Sequence, residues 1–197
     1  MESINLIITK ALPLFFLLDP FGVVGIVSAL IKPYSQKKQA QILRREVFLS
    51  LVIMLFFFGF GSVFLNILDV STEAVQITGG IIFFLFALNL LFPGQSALQL
   101  SSINEPFLVP IATPLIAGPS CLATIMLYAH DETATPIVIS SIVLAWAVSG
   151  VIIILAPKIV RLVGDTGIKV LEQIVGLICT MIAIEMILVG IQGFLHV

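Results

Sequence analysis

Residues 12 to 30 read LPLFFLLDPFGVVGIVSAL, an apolar run with Asp19-Pro20-Phe21-Gly22 near its centre. A carboxylate near the centre of a bilayer costs about 2.5 to 3.5 kcal/mol, and proline disfavours helix at the residue before it. An interrupted membrane helix is tolerated only where protein covers it or where it lines a watery cavity. The stretch therefore predicts a helix broken near Asp19, followed by a half-helix whose first amides face a ligand.

Asp19 also has a purely structural interpretation. Proline and glycine are frequent in membrane helices, and an aspartate placed before a helix can accept hydrogen bonds from its first backbone amides. Both interpretations stay open on this stretch alone, so a second stretch of the same kind is needed to separate them.

The composition is that of an integral membrane protein. Of 197 residues, 59% are hydrophobic and only 10% are charged, whereas soluble domains average roughly 25% charged residues. The apolar runs are continuous rather than alternating, which favours an all-α fold over a β-barrel. We predict six transmembrane helices, at about 4–31, 47–68, 74–92, 107–128, 137–156 and 170–194.

The basic residues indicate how these spans are oriented. Eight of the nine lie in two connections: five between residues 32 and 46, and Lys158, Arg161 and Lys169 after span five. Cytoplasmic connections carry the excess of Lys and Arg, so both connections are predicted to be cytoplasmic. Six spans then place the N- and C-termini on the non-cytoplasmic side. Lys10, the ninth basic residue, lies near the outer end of span one.

Weak internal similarity divides the six spans into two sets of three. Residues 76–79 (QITG) align with 173–176 (QIVG) at a shift of 97, and Pro20 aligns with Pro119 at a shift of 99. Because three is odd, the second set enters the membrane upside down relative to the first, which makes an inverted repeat. We predict a single transmembrane domain over 1–197, with repeats at about 1–95 and 106–197 and a linker at about 93–106.

Span four contains the counterpart of the Asp19 break. The stretch from Pro106 to Ser120 has prolines at 106, 110, 114 and 119, and each proline inside a helix costs about 3 kcal/mol. A broken or re-entrant segment fits this sequence better than a continuous helix. The turn at Gly118-Pro119-Ser120 would leave amides free at the start of the next helical piece, where an anionic group is favoured.

The two breaks predict one substrate site near the middle of the membrane. Free amides near Gly22 and Gly118 would hold a carboxylate, while Asp19 would face an ammonium group or bind a coupling cation. Thr113 is included as a contact, although a hydroxyl in a membrane helix more often bonds across to another helix. The predicted substrate-binding residues are Asp19, Pro20, Gly22, Thr113, Gly118, Pro119 and Ser120.

Glu185 is a second carboxylate predicted to lie deep in the membrane, within span six. It is either a site for the coupling H⁺ or Na⁺, or a neutral acid that hydrogen-bonds across helices. We therefore keep Asp19 and Glu185 together as the candidate residues for the coupling ion.

The sequence argues against an enzyme. It has no Gly-x-Ser-x-Gly, P-loop or Cys-x-x-Cys motif, and its histidines, His130 and His196, lie at span ends, where they suit no metal site within the membrane. We expect no cofactor, no metal and no nucleic-acid partner. The expected partners are the lipid bilayer, a small zwitterionic solute, a coupling cation and a second copy of the chain in a homo-oligomer.

Three stretches resemble the MarC family of six-span bacterial and archaeal inner-membrane proteins. They are DPFG at 19–22, TGGI at 78–81 and PFLVPIATPLIAGP at 106–119. The resemblance covers essentially the whole chain and implies a carrier of small neutral amino acids, such as alanine and glycine, with a coupling cation. Gly25 and Ser120 depart from the family pattern, which often has proline and glycine at these places. The resemblance also implies functional roles for Asp19, Pro20, Gly22, Pro114, Gly118 and Pro119.

The sequence therefore predicts a secondary transporter in the cell inner membrane. It would bind a small zwitterion, a neutral amino acid, near the midplane and move it by alternating access, with H⁺ or Na⁺ as the driving ion. Two alternatives stay open. One is a structural or regulatory membrane component that transports nothing, and the other is a small channel.

Overall fold

The fold is built from α-helices. A computed structural model describes residues 2–92, 116–130 and 135–195, and each regular element in those ranges is a helix. The all-helical class predicted from the sequence is confirmed over this part of the chain. In chain order the helices are α1 (Glu2–Leu18), α2 (Pro20–Ile31), α3 (Gln36–Leu68), α4 (Thr72–Leu91), α5 (Pro119–His130), α6 (Thr135–Ile154) and α7 (Ala156–Leu195).

Three stretches of the described residues are long and apolar enough to cross a membrane. They are Ser3–Ser28, Thr135–Ile154 and Thr166–Leu195, and two shorter apolar helices lie at Thr72–Leu88 and Pro119–Ala129. About 20 apolar residues in a helix match a hydrocarbon core of roughly 30 Å. The helices therefore have the length and composition of a protein that lies in a membrane.

Helix α3 carries its charge at one end. Its 33 residues extend about 50 Å at 1.5 Å per residue, beyond the roughly 30 Å of a hydrocarbon core. The charged residues lie between Lys37 and Glu46, and residues 47–68 carry no charge. This uncharged part coincides with predicted span two.

The helical path is interrupted at Asp19, between α1 and α2. Pro20 has no backbone N–H and disfavours helical geometry at the residue before it, and Asp19 takes left-handed backbone angles of φ 37° and ψ 62°. Asp19 donates its amide to the Phe16 carbonyl, and its own carbonyl accepts the amide of Val23. The second helix therefore begins anew at Pro20, with Asp19 as its N-cap.

Helices α4 and α7 pack antiparallel, with glycines at their closest points. A β-carbon on Gly80 of α4 would lie 2.7 Å from Ile187 Cγ1 and 3.0 Å from the Ala183 carbonyl oxygen of α7. A β-carbon on Gly176 of α7 would lie 2.9 Å from Leu90 Cβ of α4. Small residues allow membrane helices to approach until their backbones are almost in contact. This contact joins predicted spans three and six.

Helix α3 contacts both α5 and α6. Gly61 of α3 lies against Met126 of α5, and Gly150 of α6 lies against Val47 of α3. The Trp146 indole N–H of α6 also donates to the Val47 carbonyl oxygen at 2.7 Å. These contacts attach two helices of the second half of the chain to a helix of the first half.

The polar connection predicted between spans five and six is largely helical. Helix α7 begins at Ala156, and Gly164 within it has non-helical angles of φ 73° and ψ 167°. Pro157 lies in the first turn, where a missing N–H costs little, and glycine adopts a positive φ without strain. Ala156 and Ile168 pack with Val24 of α2, so the same helix holds the chain on both sides of the kink.

Candidate functional site

Asp19 is a buried carboxylate with one oxygen satisfied and one unsatisfied. The residue is 1% exposed, and Oδ1 accepts a hydrogen bond from the Gly22 amide at 3.2 Å. Oδ2 lies against Gly22, where a β-carbon would collide with it, and it has no hydrogen-bond partner in the described part of the chain. A buried oxygen without a partner is costly. Oδ2 is therefore an available acceptor for a proton, a metal cation or an ammonium group.

The break around Asp19 is enclosed by other helices. The Cys179 thiol of α7 donates to the Phe16 carbonyl at 3.7 Å, and that carbonyl also accepts the Asp19 amide. Leu90 of α4 packs against the first turn of α2, since its Cδ2 would lie 2.9 Å from a β-carbon on Gly22. Pro20 is buried as well. This is the kind of environment in which an interrupted membrane helix is tolerated.

The second predicted break leads into α5. This helix begins at Pro119, which is exposed, and the Gly118 carbonyl accepts the amide of Leu122 at 3.0 Å. Ser120 is buried at 5% exposure, and its carbonyl accepts the hydroxyl of Thr124. Ser120 therefore belongs to the protein interior, whereas Pro119 does not. Two further residues singled out from the sequence lie outside the described residues: Thr113 and Pro114.

Helices α1 and α5 contact one another. Near one end, the Tyr128 hydroxyl donates to the Lys10 carbonyl at 3.4 Å, and the Lys10 ammonium lies over the Tyr128 ring. Leu17 of α1 and Thr124 of α5 both line one open cleft, which is described below. The end of α1, just before Asp19, and α5, which follows the second predicted break, therefore border the same cleft.

An open cleft of about 560 Å³ lies beside α1, and we call it the Glu185 cleft. Its lining includes Leu17 of α1 and Ile182 and Glu185 of α7. Glu185 is exposed rather than buried, so it lies in a different environment from Asp19. The polar residues of this cleft are Thr72, Gln76, Thr124, Tyr128 and Glu185.

A second open cleft, of about 610 Å³, lies beside α2, and we call it the Glu172 cleft. Glu172 of α7 was not predicted from the sequence. Its Oε1 lies 2.6 Å from the place where a β-carbon on Gly25 would stand. The one sequence signal for this contact is Gly25 itself. The family pattern often has proline at this position, and glycine leaves space there for the Glu172 side chain. The polar residues of this cleft are Ser28, Lys32, Gln39, Arg161, Lys169 and Glu172.

The long helix α7 gives the relative levels of the three carboxylates. Glu172 and Glu185 are separated by about 20 Å along it, at 1.5 Å per residue. Cys179, whose thiol contacts the Phe16 carbonyl next to the Asp19 break, is close to midway between them. Asp19 therefore lies between the two clefts, and it is closed off from both at 1% exposure.

Comparison with known proteins supplies two bacterial relatives and a family. The family described as "MarC family integral membrane protein" matches residues 4–195 of this chain. A UPF0056 membrane protein of Buchnera aphidicola subsp. Schizaphis graminum is 38% identical over 192 residues, which cover 96% of this chain and 98% of the relative. The UPF0056 inner membrane protein YhgN of Escherichia coli strain K12 is 38% identical over 191 residues, which cover 95% of this chain and 97% of the relative.

A more distant relative extends the match to another organism. A UPF0056 membrane protein of Methanocaldococcus jannaschii is 30% identical over 204 aligned residues, which cover 98% of this chain and 90% of the relative. No solved structure gives a significant match. The family match spans both predicted breaks, and it confirms the resemblance seen in the sequence. The chain belongs to the MarC family of integral membrane proteins.

Proposed function

We propose that the protein is a secondary transporter that moves a small zwitterionic solute, a neutral amino acid, across the cell inner membrane. The observation that carries this proposal is the position of Asp19. This buried carboxylate, with one unpaired oxygen, lies between two clefts that open at different levels of the bundle. A transporter that works by alternating access needs a binding residue near the midplane that each side reaches in turn.

The proposed solute site combines the two breaks. Asp19 Oδ2 would accept the ammonium group of the solute or hold the coupling H⁺ or Na⁺. The first turn of α5, at Gly118 and Ser120, would present backbone amides to the solute carboxylate, as helix N-termini do for anions. The apolar side chains around the Asp19 break favour a solute whose own side chain is small and uncharged. The remaining proposed contacts are Pro20, Gly22, Thr113 and Pro119.

We also propose six spans in an inverted repeat of three plus three, and two features support it. Helices α2 and α5 each have 12 residues and begin at a proline, and α3 and α6 follow them at equal spacing. In the α4–α7 contact, Gly80 meets Ile187 and Gly176 meets Leu90. At a shift of 97, Leu90 is equivalent to Ile187, and Gly79, the neighbour of Gly80, is equivalent to Gly176. Such a reciprocal antiparallel contact is expected around a two-fold axis in the membrane plane.

The proposed orientation follows from the charges of the two clefts. Lys32, Arg161 and Lys169 line the Glu172 cleft, and an excess of basic residues marks the cytoplasmic side. The Glu185 cleft would then open to the opposite side, where both chain ends are also proposed to lie. Location in the inner membrane agrees with the name of the Escherichia coli relative.

Uptake into proteoliposomes tests the proposed transport. Purified protein is reconstituted and given radiolabelled alanine, glycine or serine, with H⁺ and Na⁺ gradients imposed separately. We expect saturable uptake of at least one solute that depends on one of the two gradients. Uptake that rises linearly with concentration would indicate a small channel instead. No uptake by folded and inserted protein would favour a membrane component that transports nothing.

A further inference from the structure

One face of α2 is lined by small residues and connects Asp19 with the Glu172 cleft. Gly22, Gly25 and Ser28 are spaced three residues apart, so they lie on one side of the helix. Asp19 Oδ2 lies against Gly22, and Glu172 Oε1 lies against Gly25, each near the place where a β-carbon would stand. The two carboxylates therefore occupy successive hollows on the same helix face.

The two hollows are neighbours on the helix face. Positions three residues apart there have β-carbons about 5–6 Å apart, and the carboxylates of Asp19 and Glu172 each lie at one of these positions. Two negative groups at neighbouring positions repel one another unless a positive charge lies between them. A monovalent cation, or a proton carried by one of the two carboxylates, would relieve this repulsion.

Two oxygens along this face have no hydrogen-bond partner within the described residues. Asp19 Oδ2 is one of them, and Ser28 Oγ, at the cleft end of the face, is the other. Asp19 is 1% exposed, so bulk water does not reach its free oxygen. A cation that prefers oxygen ligands would find an acceptor without a partner at each end of this face of α2, Asp19 Oδ2 at one end and Ser28 Oγ at the other. The carboxylate of Glu172 lies between them.

Among the described residues that line the Glu172 cleft, the charged groups other than Glu172 are positive. Lys169, one turn away on α7, interacts electrostatically with Glu172, and Lys32 and Arg161 line the same cleft. The positive charges of these three side chains disfavour a transported cation that stays in the cleft. They would therefore promote departure of a cation from Glu172 once it has arrived there.

We propose that Glu172 receives the coupling cation from Asp19 and releases it into the Glu172 cleft, which makes Glu172 a second cation-binding residue of the transport path. The proposal rests on the transporter function proposed above and adds the inner end of its cation route. Gly25 belongs to this route because a larger residue there would push the Glu172 carboxylate away from its present position.

Two variants separate the charge of Glu172 from its position. Glu172→Gln removes the charge at nearly constant shape. Gly25→Ala keeps the charge, but its β-carbon would stand 2.6 Å from Oε1 of Glu172 and displace that flexible side chain. Gly59→Ala is the matched control, because Gly59 is also a helix glycine and a β-carbon there would have nothing within 4 Å.

Each variant is measured in proteoliposomes with two assays, using whichever of alanine, glycine and serine the wild type accumulates. One assay follows accumulation driven by an H⁺ or Na⁺ gradient, and the other follows exchange of labelled for unlabelled solute, which needs no net release of the cation. We expect Glu172→Gln to lower accumulation about ten- to hundredfold, as loss of a charge-assisted contact would, and to leave exchange close to wild type. Gly25→Ala should show the same pattern with a smaller loss, and Gly59→Ala should change neither assay.

The possible outcomes distinguish the cation route from the transporter function. Wild-type accumulation by Glu172→Gln, or an equal loss of accumulation and exchange in both Glu172→Gln and Gly25→Ala, would overturn the role of Glu172 and leave the transporter function in place. Absence of both accumulation and exchange in the wild type would overturn the transporter function and, with it, the cation route.

Discussion

Asp19→Asn is expected to abolish gradient-driven uptake while the protein remains folded. Asparagine caps helices about as well as aspartate and tolerates left-handed backbone angles, so the junction between α1 and α2 should be preserved. The substitution replaces the ionisable carboxyl group with an amide that cannot carry a negative charge. We expect uptake to fall about a hundredfold or more, because breaking a buried charge pair costs about 3–5 kcal/mol. Initial uptake rates in proteoliposomes measure the effect.

Asp19→Ala is the matched comparison for this prediction. It removes the helix cap as well as the charge, which costs about 0.5–2 kcal/mol, and alanine in the left-handed region costs about 1–2 kcal/mol more. Asp19→Ala should therefore lower both uptake and Tm, whereas Asp19→Asn should lower uptake alone. Normal uptake by inserted Asp19→Asn protein would remove Asp19 from the proposed site.

Gly80→Ala is expected to destabilise the contact between α4 and α7, and Gly59→Ala is its control. A methyl group at Gly80 would meet Ile187 Cγ1 at 2.7 Å and the Ala183 carbonyl oxygen at 3.0 Å. Because one obstacle is backbone, the helices must move apart, and overpacking of this kind costs about 1–3 kcal/mol. Gly59 is exposed, so alanine there should gain the roughly 0.5–1 kcal/mol that it gains in helices generally.

The difference between these two variants isolates the packing effect from helix propensity. Thermal unfolding in detergent, followed by circular dichroism, should give Gly80→Ala a lower Tm than Gly59→Ala. The expected scale is about 2–4 °C per kcal/mol for a chain of this length. Equal Tm values would show that the close glycine contact does not contribute to stability.

The ends of several helices could be predicted from the sequence because their causes are local. Helix α1 ends at Leu18 because Pro20 disfavours helical geometry at Asp19. Helix α4 begins after Ser71, whose side chain accepts a hydrogen bond from the Ala74 amide at 3.2 Å. Composition indicated a membrane protein, and the continuous apolar runs indicated helices rather than the alternating strands of a β-barrel.

The positions of the acidic side chains could not be predicted, because they depend on contacts between distant segments. Glu185 is predicted to lie deep in the membrane, but nothing in the sequence indicates that it lines an open cleft. Glu172 lies near Lys169 at the edge of predicted span six, which is typical of an ordinary interfacial residue. Its closeness to Gly25 arises from the packing of α2 on α7, and neither segment reveals that contact by itself.

Side-specific thiol labelling tests most directly whether the two clefts open to opposite sides of the membrane with Asp19 between them. Gln76→Cys places a thiol in the Glu185 cleft and Lys169→Cys places one in the Glu172 cleft. The native Cys121 and Cys179 are buried, so they should contribute little background. We expect a membrane-impermeant maleimide to label Gln76→Cys only in right-side-out vesicles and Lys169→Cys only in inside-out vesicles. Labelling of both positions from the same side would contradict transport through a site at Asp19 that the two clefts reach from opposite sides.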